Sequence, residues 1–232
     1  MRKLVMFLCA LGILGSTSSF ADTACKDKYG TLKCGQGTVG DISYTGFVEA
    51  DGTTVTNSVN VFGSVTAINS HLNVVVIKGE SHLAKTEVVG KMQMTGNIST
   101  EDVEIRSRSK ITGDFYASHT ILYDAINVIG MIDCNFCLFK MDADIAGHVT
   151  TKSSEFINTL TLNAKNATFS DTKLNDIFVK KPSDDEVQTI NLSNGSRANN
   201  ISFENQKGVV ILSGNSQLMG SVQGGKVVKT RN

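Results

Sequence analysis

Apolar and polar residues alternate over short segments between Ile42 and Val179, and this alternation restarts at a nearly constant interval marked by glycine. Every step between marker glycines is 17 residues, except the step from Gly63 to Gly79, which is 16. Ala164 and Lys181 continue the count. A fixed short period of this kind is typical of repeat architectures. The marker glycines are Gly46, Gly63, Gly79, Gly96, Gly113, Gly130 and Gly147.

The positions around each glycine are filled in the same way from one repeat to the next. Positions two and four residues before it, and two and nine residues after it, are almost all apolar, as in Val59, Val61, Val65 and Leu72 around Gly63. Ser81, two residues after Gly79, interrupts the apolar series at that position. Alternation predicts strands with one buried face. Similar residues returning at each step predict a stack of turns, so we expect an all-β fold, a single-stranded β-solenoid of about 17 residues per turn.

The glycine itself occupies a position between two inward-facing residues, so we expect the chain to bend there toward the next face. The residue four positions later is usually small or polar, as a crowded inner corner requires. The alternative is a β-sandwich in which the glycines are ordinary turn residues. Seven glycines at nearly constant spacing favour the solenoid, with roughly eight turns over residues 42–181 and a length of about 40 Å.

The first 21 residues have the pattern of a secretory signal peptide. Arg2 and Lys3 precede an apolar run from Leu4 to Gly15, and Ser19–Ala21 offers small residues for cleavage. Cleavage after Ala21 would remove two of the 22 basic side chains and leave 20 against 22 acidic ones. An uncleaved anchor is the alternative interpretation. We therefore expect export to the periplasm or cell envelope, the cell surface or the medium.

Five cysteines are present, and removal of Cys9 with the signal leaves four. Cys25 and Cys34 bracket a polar segment within residues 22–41, which we interpret as an amino-terminal cap closed by a disulfide. Cys134 and Cys137 form a Cys-x-x-Cys pair, a spacing also found in thiol redox and zinc sites. No helix start and no second ligand pair accompany them, so we expect small core residues or a local disulfide.

Residues 182–232 depart from the 17-residue period. A polar segment containing the only proline, Pro182, comes first, and the segment 189–196 then resembles the segment 209–216. The spacing Leu218-x-Gly220-x-Val222 repeats the apolar-Gly-apolar pattern of the marker glycines. We expect further, longer β turns that close the carboxyl end. A small separate β domain is the alternative.

Few residues suggest chemistry. The formal net charge is zero, which gives no support for nucleic-acid or anionic-membrane binding. The four histidines fall at different repeat positions, and no pair of carboxylates recurs at one position in adjacent turns. The charges in residues 101–110 mix both signs and indicate a solvated face. We expect no enzymatic activity, no cofactor, no metal and no small-molecule substrate.

The 17-residue pattern resembles that of the bactofilins, bacterial proteins that form polymers. The segments that carry the resemblance begin at Gly96 (Gly-Asn-Ile-Ser-Thr-Glu-Asp-Val-Glu-Ile) and Gly113 (Gly-Asp-Phe-Tyr-Ala), and Gly220-Ser-Val-Gln-Gly is similar. The resemblance implies a right-handed triangular β-helix that associates end to end into filaments, without nucleotide or metal.

Together these features predict an exported, non-enzymatic structural or scaffold protein of a bacterial envelope. We expect it to associate with itself, as a homo-oligomer or filament, or to bind envelope proteins or peptidoglycan. An adhesin-like surface or secreted module that binds a glycan or host surface is the alternative. A carbohydrate-cleaving β-helix would require carboxylates clustered in one groove.

Overall fold

The computed structural model describes residues 25–181 and 186–230. Within these residues the chain is all-β with no helix, 67% strand, and forms a β-solenoid of about 11 turns with ~17 residues per turn. The predicted fold class is therefore confirmed. The proposed signal peptide, residues 1–21, lies outside the described residues.

The described residues form 28 strands. In chain order they are β1 (Cys25–Lys28), β2 (Thr31–Cys34), β3 (Gly37–Asp51), β4 (Thr53–Ile68), β5 (His71–Lys78), β6 (Ser81–Ala84), β7 (Glu87–Val88), β8 (Met92–Thr95), β9 (Ile98–Glu101), β10 (Glu104–Ile105), β11 (Ser109–Thr112), β12 (Phe115–Ser118), β13 (Ile121–Leu122), β14 (Ile126–Asn135), β15 (Leu138–Phe139), β16 (Ala143–Lys152), β17 (Glu155–Phe156), β18 (Leu160–Asn163), β19 (Asn166–Ser170), β20 (Lys173–Leu174), β21 (Ile177–Val179), β22 (Gln188–Ser193), β23 (Arg197–Ala198), β24 (Ile201–Phe203), β25 (Gly208–Leu212), β26 (Gln217–Leu218), β27 (Val222–Gln223) and β28 (Gly225–Lys229).

Each turn contributes to three faces. The first face holds the strands before the marker glycine, such as β8 and β11; the second holds those after it, such as β9 and β12; the third holds two-residue strands such as β10 and β13. Each strand pairs in parallel with the equivalent strand of the next turn, so Ile111 lies between Met94 and Val128. Apart from the antiparallel pair β1–β2, every pairing among the described strands is parallel.

One continuous core runs along the rod. Its apolar residues repeat at equivalent positions in successive turns, and Val75, Ile77 and Ile145 are completely buried. Phe139 and Phe156 stack with ring centroids 4.1 Å apart, and Phe156 meets Phe169 edge to face. Burying each such side chain contributes about 1.5–3 kcal/mol. These are the ladders that the repeat predicts.

The marker glycines lie at the corner between the first and second faces, with φ values from +125° to +146°. From Gly63 to Gly147, a Cβ on each would overlap the carbonyl oxygen of the preceding marker glycine. The corner therefore needs glycine for two reasons, the backbone conformation and the close approach of adjacent turns.

A second corner, between the second and third faces, has no counterpart in the sequence analysis. Six residues after each marker glycine, and at the aligned Asp171 and Asn194 of the next two turns, the backbone is left-handed, with φ between +48° and +65°. Only Gly, Asn and Asp favour this region, and they occupy about half of the positions, which is the signal that could have revealed the corner. The residues are Gly52, Asn69, Lys85, Asp102, His119, Phe136, Ser153, Asp171 and Asn194.

Buried hydroxyl groups follow this second corner and form hydrogen bonds with the N–H and carbonyl groups of its backbone. Ser154 accepts a hydrogen bond from the Cys137 N–H at 3.0 Å and donates one to the Lys152 carbonyl at 2.8 Å. Thr172 and Ser196 are linked in the same way, because the Thr172 N–H donates to the Ser196 hydroxyl. The column is interrupted by Val103 and Cys137. Its hydroxyl members are Thr53, Ser70, Thr86, Thr120, Ser154, Thr172 and Ser196.

Two buried serines are expected to respond in opposite ways to replacement by alanine. Ser154→Ala leaves the buried Cys137 N–H without its acceptor, so the free energy of unfolding should fall by about 1–3 kcal/mol. Ser81 has a buried hydroxyl oxygen without a hydrogen-bond partner, so Ser81→Ala should raise the free energy of unfolding by about 0.5–1 kcal/mol. Urea unfolding of both variants measures the difference. Equal destabilisation by both would contradict the role assigned to the hydroxyl column.

Changes in repeat length are accommodated at corners. The 16-residue step arises at the third corner, between the third and first faces. Leu72 aligns with Val88 and Val75 aligns with Met92, so this corner is one residue shorter than the same corner in the next turn. Eight residues separate β21 from β22, whereas two separate the corresponding strands β18 and β19 in the preceding turn. β22 nevertheless pairs in parallel with β19, so the same faces continue.

The carboxyl-terminal turns are longer but keep the register. Thr189 pairs with Val209, the same alignment that relates the segments 189–196 and 209–216 in the sequence. Gly220 has the apolar-Gly-apolar spacing of the marker glycines but lies at a different corner. Leu218 lies on the third face beside Ala198, and Val222 lies on the first face beside Ile201, so Gly220 is at the third corner. The first face has a corner at each end, and at both corners a glycine can lie between two apolar residues.

The first turn is covered on one side by a hairpin. β1 and β2 are antiparallel, and β2 pairs in parallel with the part of β3 that lies on the second face. Cys25 and Leu32 pack against the core, and the Tyr44 hydroxyl donates to the Asp27 carboxylate at 2.9 Å. The hairpin therefore occupies the edge of the second face at the amino end.

Candidate functional site

The four cysteines of the predicted mature chain form two disulfides. Cys25–Cys34 joins the two strands of the amino-terminal hairpin. Cys134–Cys137 bridges the second corner of one turn, with both residues buried in the core cluster. Disulfides are typical of oxidising compartments, so both fit an exported protein. Their burial and position indicate structural linkage.

The histidines are dispersed, as their repeat positions indicate. His71 pairs with Glu87 at 2.8 Å, and His82 hydrogen-bonds Ser99 at 2.7 Å. His148 contacts Thr150, and His119 stacks on Phe136. Over residues 25–181 and 186–230, no group of three or more His, Cys, Asp or Glu side chains is placed to hold a metal ion.

A line of charged and aromatic side chains runs along the outside of the third face. Arg106 forms ion pairs with Glu87 and Glu104, and its guanidinium lies over the Tyr123 ring. Lys140 lies over the same ring, with its Nζ 3.9 Å from the centroid. The hydrogen bond from Arg106 is the main cause that lowers the pKa of Glu87 below its usual value. These charges are exposed and satisfied by one another, so they stabilise the surface only weakly.

A shallow groove lies where the second corner meets the third face. It is lined by residues at the second corner of four successive turns, namely Phe136, Ser153, Asp171 and Gly195, which follows the corner residue Asn194. It extends over about 14 Å at the usual strand spacing of about 4.8 Å. Phe136 is 53% exposed and stacks on His119, with ring centroids 4.9 Å apart and an interplanar angle of 7°. The groove therefore begins with a flat, accessible aromatic surface.

The rest of this groove, which we call the corner groove, is polar. The Ser153 hydroxyl donates to the Asp171 carboxylate at 2.9 Å. On the third face, Glu155 aligns with Lys173, which aligns with Arg197. The Lys173 ammonium is 3.8 Å from the Glu155 carboxylate. The groove thus offers two acidic and two basic side chains, with no excess of either sign. The sequence analysis did not identify any of these residues, because they share a place in the fold and no residue type.

The last described turn leaves core positions uncovered. Val227 aligns with Val210, which is fully buried, but Val227 is 41% exposed. Leu218 and Val222 are partly buried and pack against the core from this side. β28 is exposed at all five residues and pairs with β25 on one side. We call this surface the carboxyl-terminal layer.

No helix in the described segments is long and apolar enough to cross a membrane. A scan against protein-family models, a search of curated proteins and a search of solved structures all find no match to the chain.

Proposed function

We propose that the protein is an exported, non-enzymatic structural rod of the bacterial cell envelope that associates with itself through its carboxyl-terminal layer. The single observation that carries this proposal is the apolar layer formed by exposed Val227 and partly buried Leu218 and Val222 beside the strand edge of β28. An exposed strand edge beside apolar residues is a template for pairing with another chain. The sequence-predicted signal peptide and the two disulfides support an oxidising location.

The two ends of the rod differ, and this difference favours a pair over a filament. At the amino end the second face is covered by the hairpin of β1 and β2. At the carboxyl end the same face ends in the exposed strand β28. Contact of β28 with β28 of a second copy uses the same surface on both copies, which gives a closed two-fold dimer. The end-to-end filaments implied by the bactofilin resemblance would require the hairpin to move.

Lys226 and Lys229 determine how this association responds to salt. Both are in β28, so two copies would bring like charges together. Repulsion between exposed charges is screened by salt, while burial of Val227 is not weakened. The proposed dimer is therefore expected to become stronger as the salt concentration rises.

Sedimentation equilibrium of the purified protein tests the proposal with two adjacent valines. Val227→Lys places a charge at the layer and is expected to give a monomer at all concentrations. Val228 aligns with Ile211, which is outside the core, so the uncharged substitution Val228→Thr should keep the dimer. Circular dichroism checks that both variants are folded. A wild-type protein that stays monomeric at millimolar concentration in high salt would overturn the proposal.

The proposed location has its own test. Periplasmic retention after cell fractionation is the expected result for an envelope scaffold. Protease-accessible protein on intact cells would favour the adhesin-like alternative, which the corner groove also supports because it carries an exposed aromatic ring beside polar side chains.

A further inference from the structure

We propose that the corner groove binds a linear, uncharged oligosaccharide, with one sugar ring stacked on Phe136. Ser153, Glu155, Asp171, Lys173 and Arg197 would hydrogen-bond the hydroxyl groups of the following sugars. This binding site goes beyond the structural role proposed above. It lies along the second corner and the third face, whereas the β28 edge used for association lies on the second face.

Phe136 is unfavourable for folding at its position. Its φ is +55°, a left-handed conformation that is strained for a bulky residue. Its ring is 53% exposed and therefore recovers only part of that cost through burial. Most equivalent corners carry Gly, Asn, Asp or Ser. An aromatic residue that neither fits the backbone nor fills the core is best explained by contact with a ligand.

The chemistry of the groove matches a sugar chain. A pyranose ring has an apolar face of C–H groups that packs on an aromatic ring, and its hydroxyls both donate and accept hydrogen bonds. Beyond Phe136 the groove supplies carboxylates as acceptors and Lys173 and Arg197 as donors. The two acidic and two basic groups balance, which favours an uncharged ligand.

An added peptide strand is a poorer fit to the same surface. Strand addition needs free backbone groups at a sheet edge. Here the Phe136 N–H donates to the Lys152 carbonyl, and the Glu155 N–H donates to the Cys137 carbonyl. The backbone of the groove is thus engaged in the solenoid, and only side chains are available to a ligand.

The groove is also held in place before any ligand arrives. The Cys134–Cys137 disulfide spans the corner that carries Phe136, and the Cys137 N–H is bonded to the Ser154 hydroxyl. His119 supports one side of the ring. A rigid site loses little conformational entropy on binding, which allows a few side chains to give measurable affinity.

Isothermal titration calorimetry of the intact protein with cellohexaose and with chitohexaose tests the proposal. These are uncharged, linear, β-1,4-linked hexamers. At least one of them is expected to bind, and Phe136→Ala should weaken that binding about tenfold or more, whereas Phe136→Tyr should retain it. Amide NMR shifts should move at Phe136, Ser153 and Asp171; the chain has no Trp whose fluorescence could report binding.

Phe62→Ala is the matched control, because Phe62 is 59% exposed but lies beside Lys78, away from the groove. It should leave sugar binding unchanged. Absence of binding by both sugars at millimolar concentration would overturn the proposal, as would binding that survives Phe136→Ala. If Phe136→Ala instead abolished self-association, the groove would be a protein interface, and the sugar proposal would be wrong. The Val227→Lys monomer should bind sugar normally, so failure of either proposal can be recognised separately.

Discussion

Gly113→Ala is expected to lower the free energy of unfolding by about 3–5 kcal/mol, the range of the most damaging single substitutions. Gly113 has a φ of +136°, a backbone conformation that residues other than glycine rarely adopt. In addition, the new Cβ would overlap the carbonyl oxygen of Gly96 in the preceding turn. Since the obstacle is backbone, relief would require two turns to separate and their strand pairing to weaken. Urea unfolding followed by far-UV circular dichroism measures the effect.

Gly35→Ala is the control for this substitution. Gly35 does not have a positive φ, and no heavy atom lies within 4 Å of the position that its Cβ would take. Its replacement should change the free energy of unfolding by no more than about 0.5 kcal/mol. A similar loss at both glycines would show that the marker position has no special requirement, and would remove the physical basis of the corner.

Phe139→Ala should lower the free energy of unfolding by about 3–5 kcal/mol through the cavity it leaves. Phe139 is 1% exposed, and its ring stacks on Phe156 in the next turn. Alanine would remove contacts to both neighbouring turns, and the parallel strand pairs on either side limit how far the core can collapse. Chemical unfolding monitored by circular dichroism gives the measurement.

Phe136→Ala provides the comparison within the same turn. The two phenylalanines are three residues apart, but Phe136 is exposed and has a strained backbone. Its replacement should change the free energy of unfolding by no more than about 0.5 kcal/mol, because the ring is mostly exposed and Ala keeps the same left-handed backbone strain. A large loss of stability in Phe136→Ala would mean that the ring is a structural residue, and would weaken the argument for the corner groove.

The repeat in the sequence determined the architecture because each turn needs only its neighbours. Alternation specifies which side chains face inward, and a constant step places like residues in register, as for Ile111 between Met94 and Val128. The glycine corner was predictable for the same reason, since glycine is the one residue that meets its two requirements. The two disulfides also agree with the cysteine pairs noted in the sequence.

Other features follow from where turns lie relative to one another, and these could not be read from the sequence. The left-handed second corner accepts Lys85, His119 and Phe136 as well as Asn and Asp, so no residue type marks it throughout. Gly220 has the spacing of a marker glycine but lies at the third corner, between Leu218 on the third face and Val222 on the first face.

The sequence by itself determined that this protein is a stack of β turns with a glycine at one corner of most turns. Only the tertiary structure decided which outer side chains become neighbours. Phe136, Ser153, Asp171 and Arg197 come from four different turns and meet in one groove because parallel pairing stacks equivalent corners. Likewise, Val227 aligns with the buried Val210 on one side, whereas no described strand pairs with β28 on the other side. Core positions repeat along the chain and can therefore be predicted from the sequence, whereas the surfaces and ends are formed by residues that do not repeat.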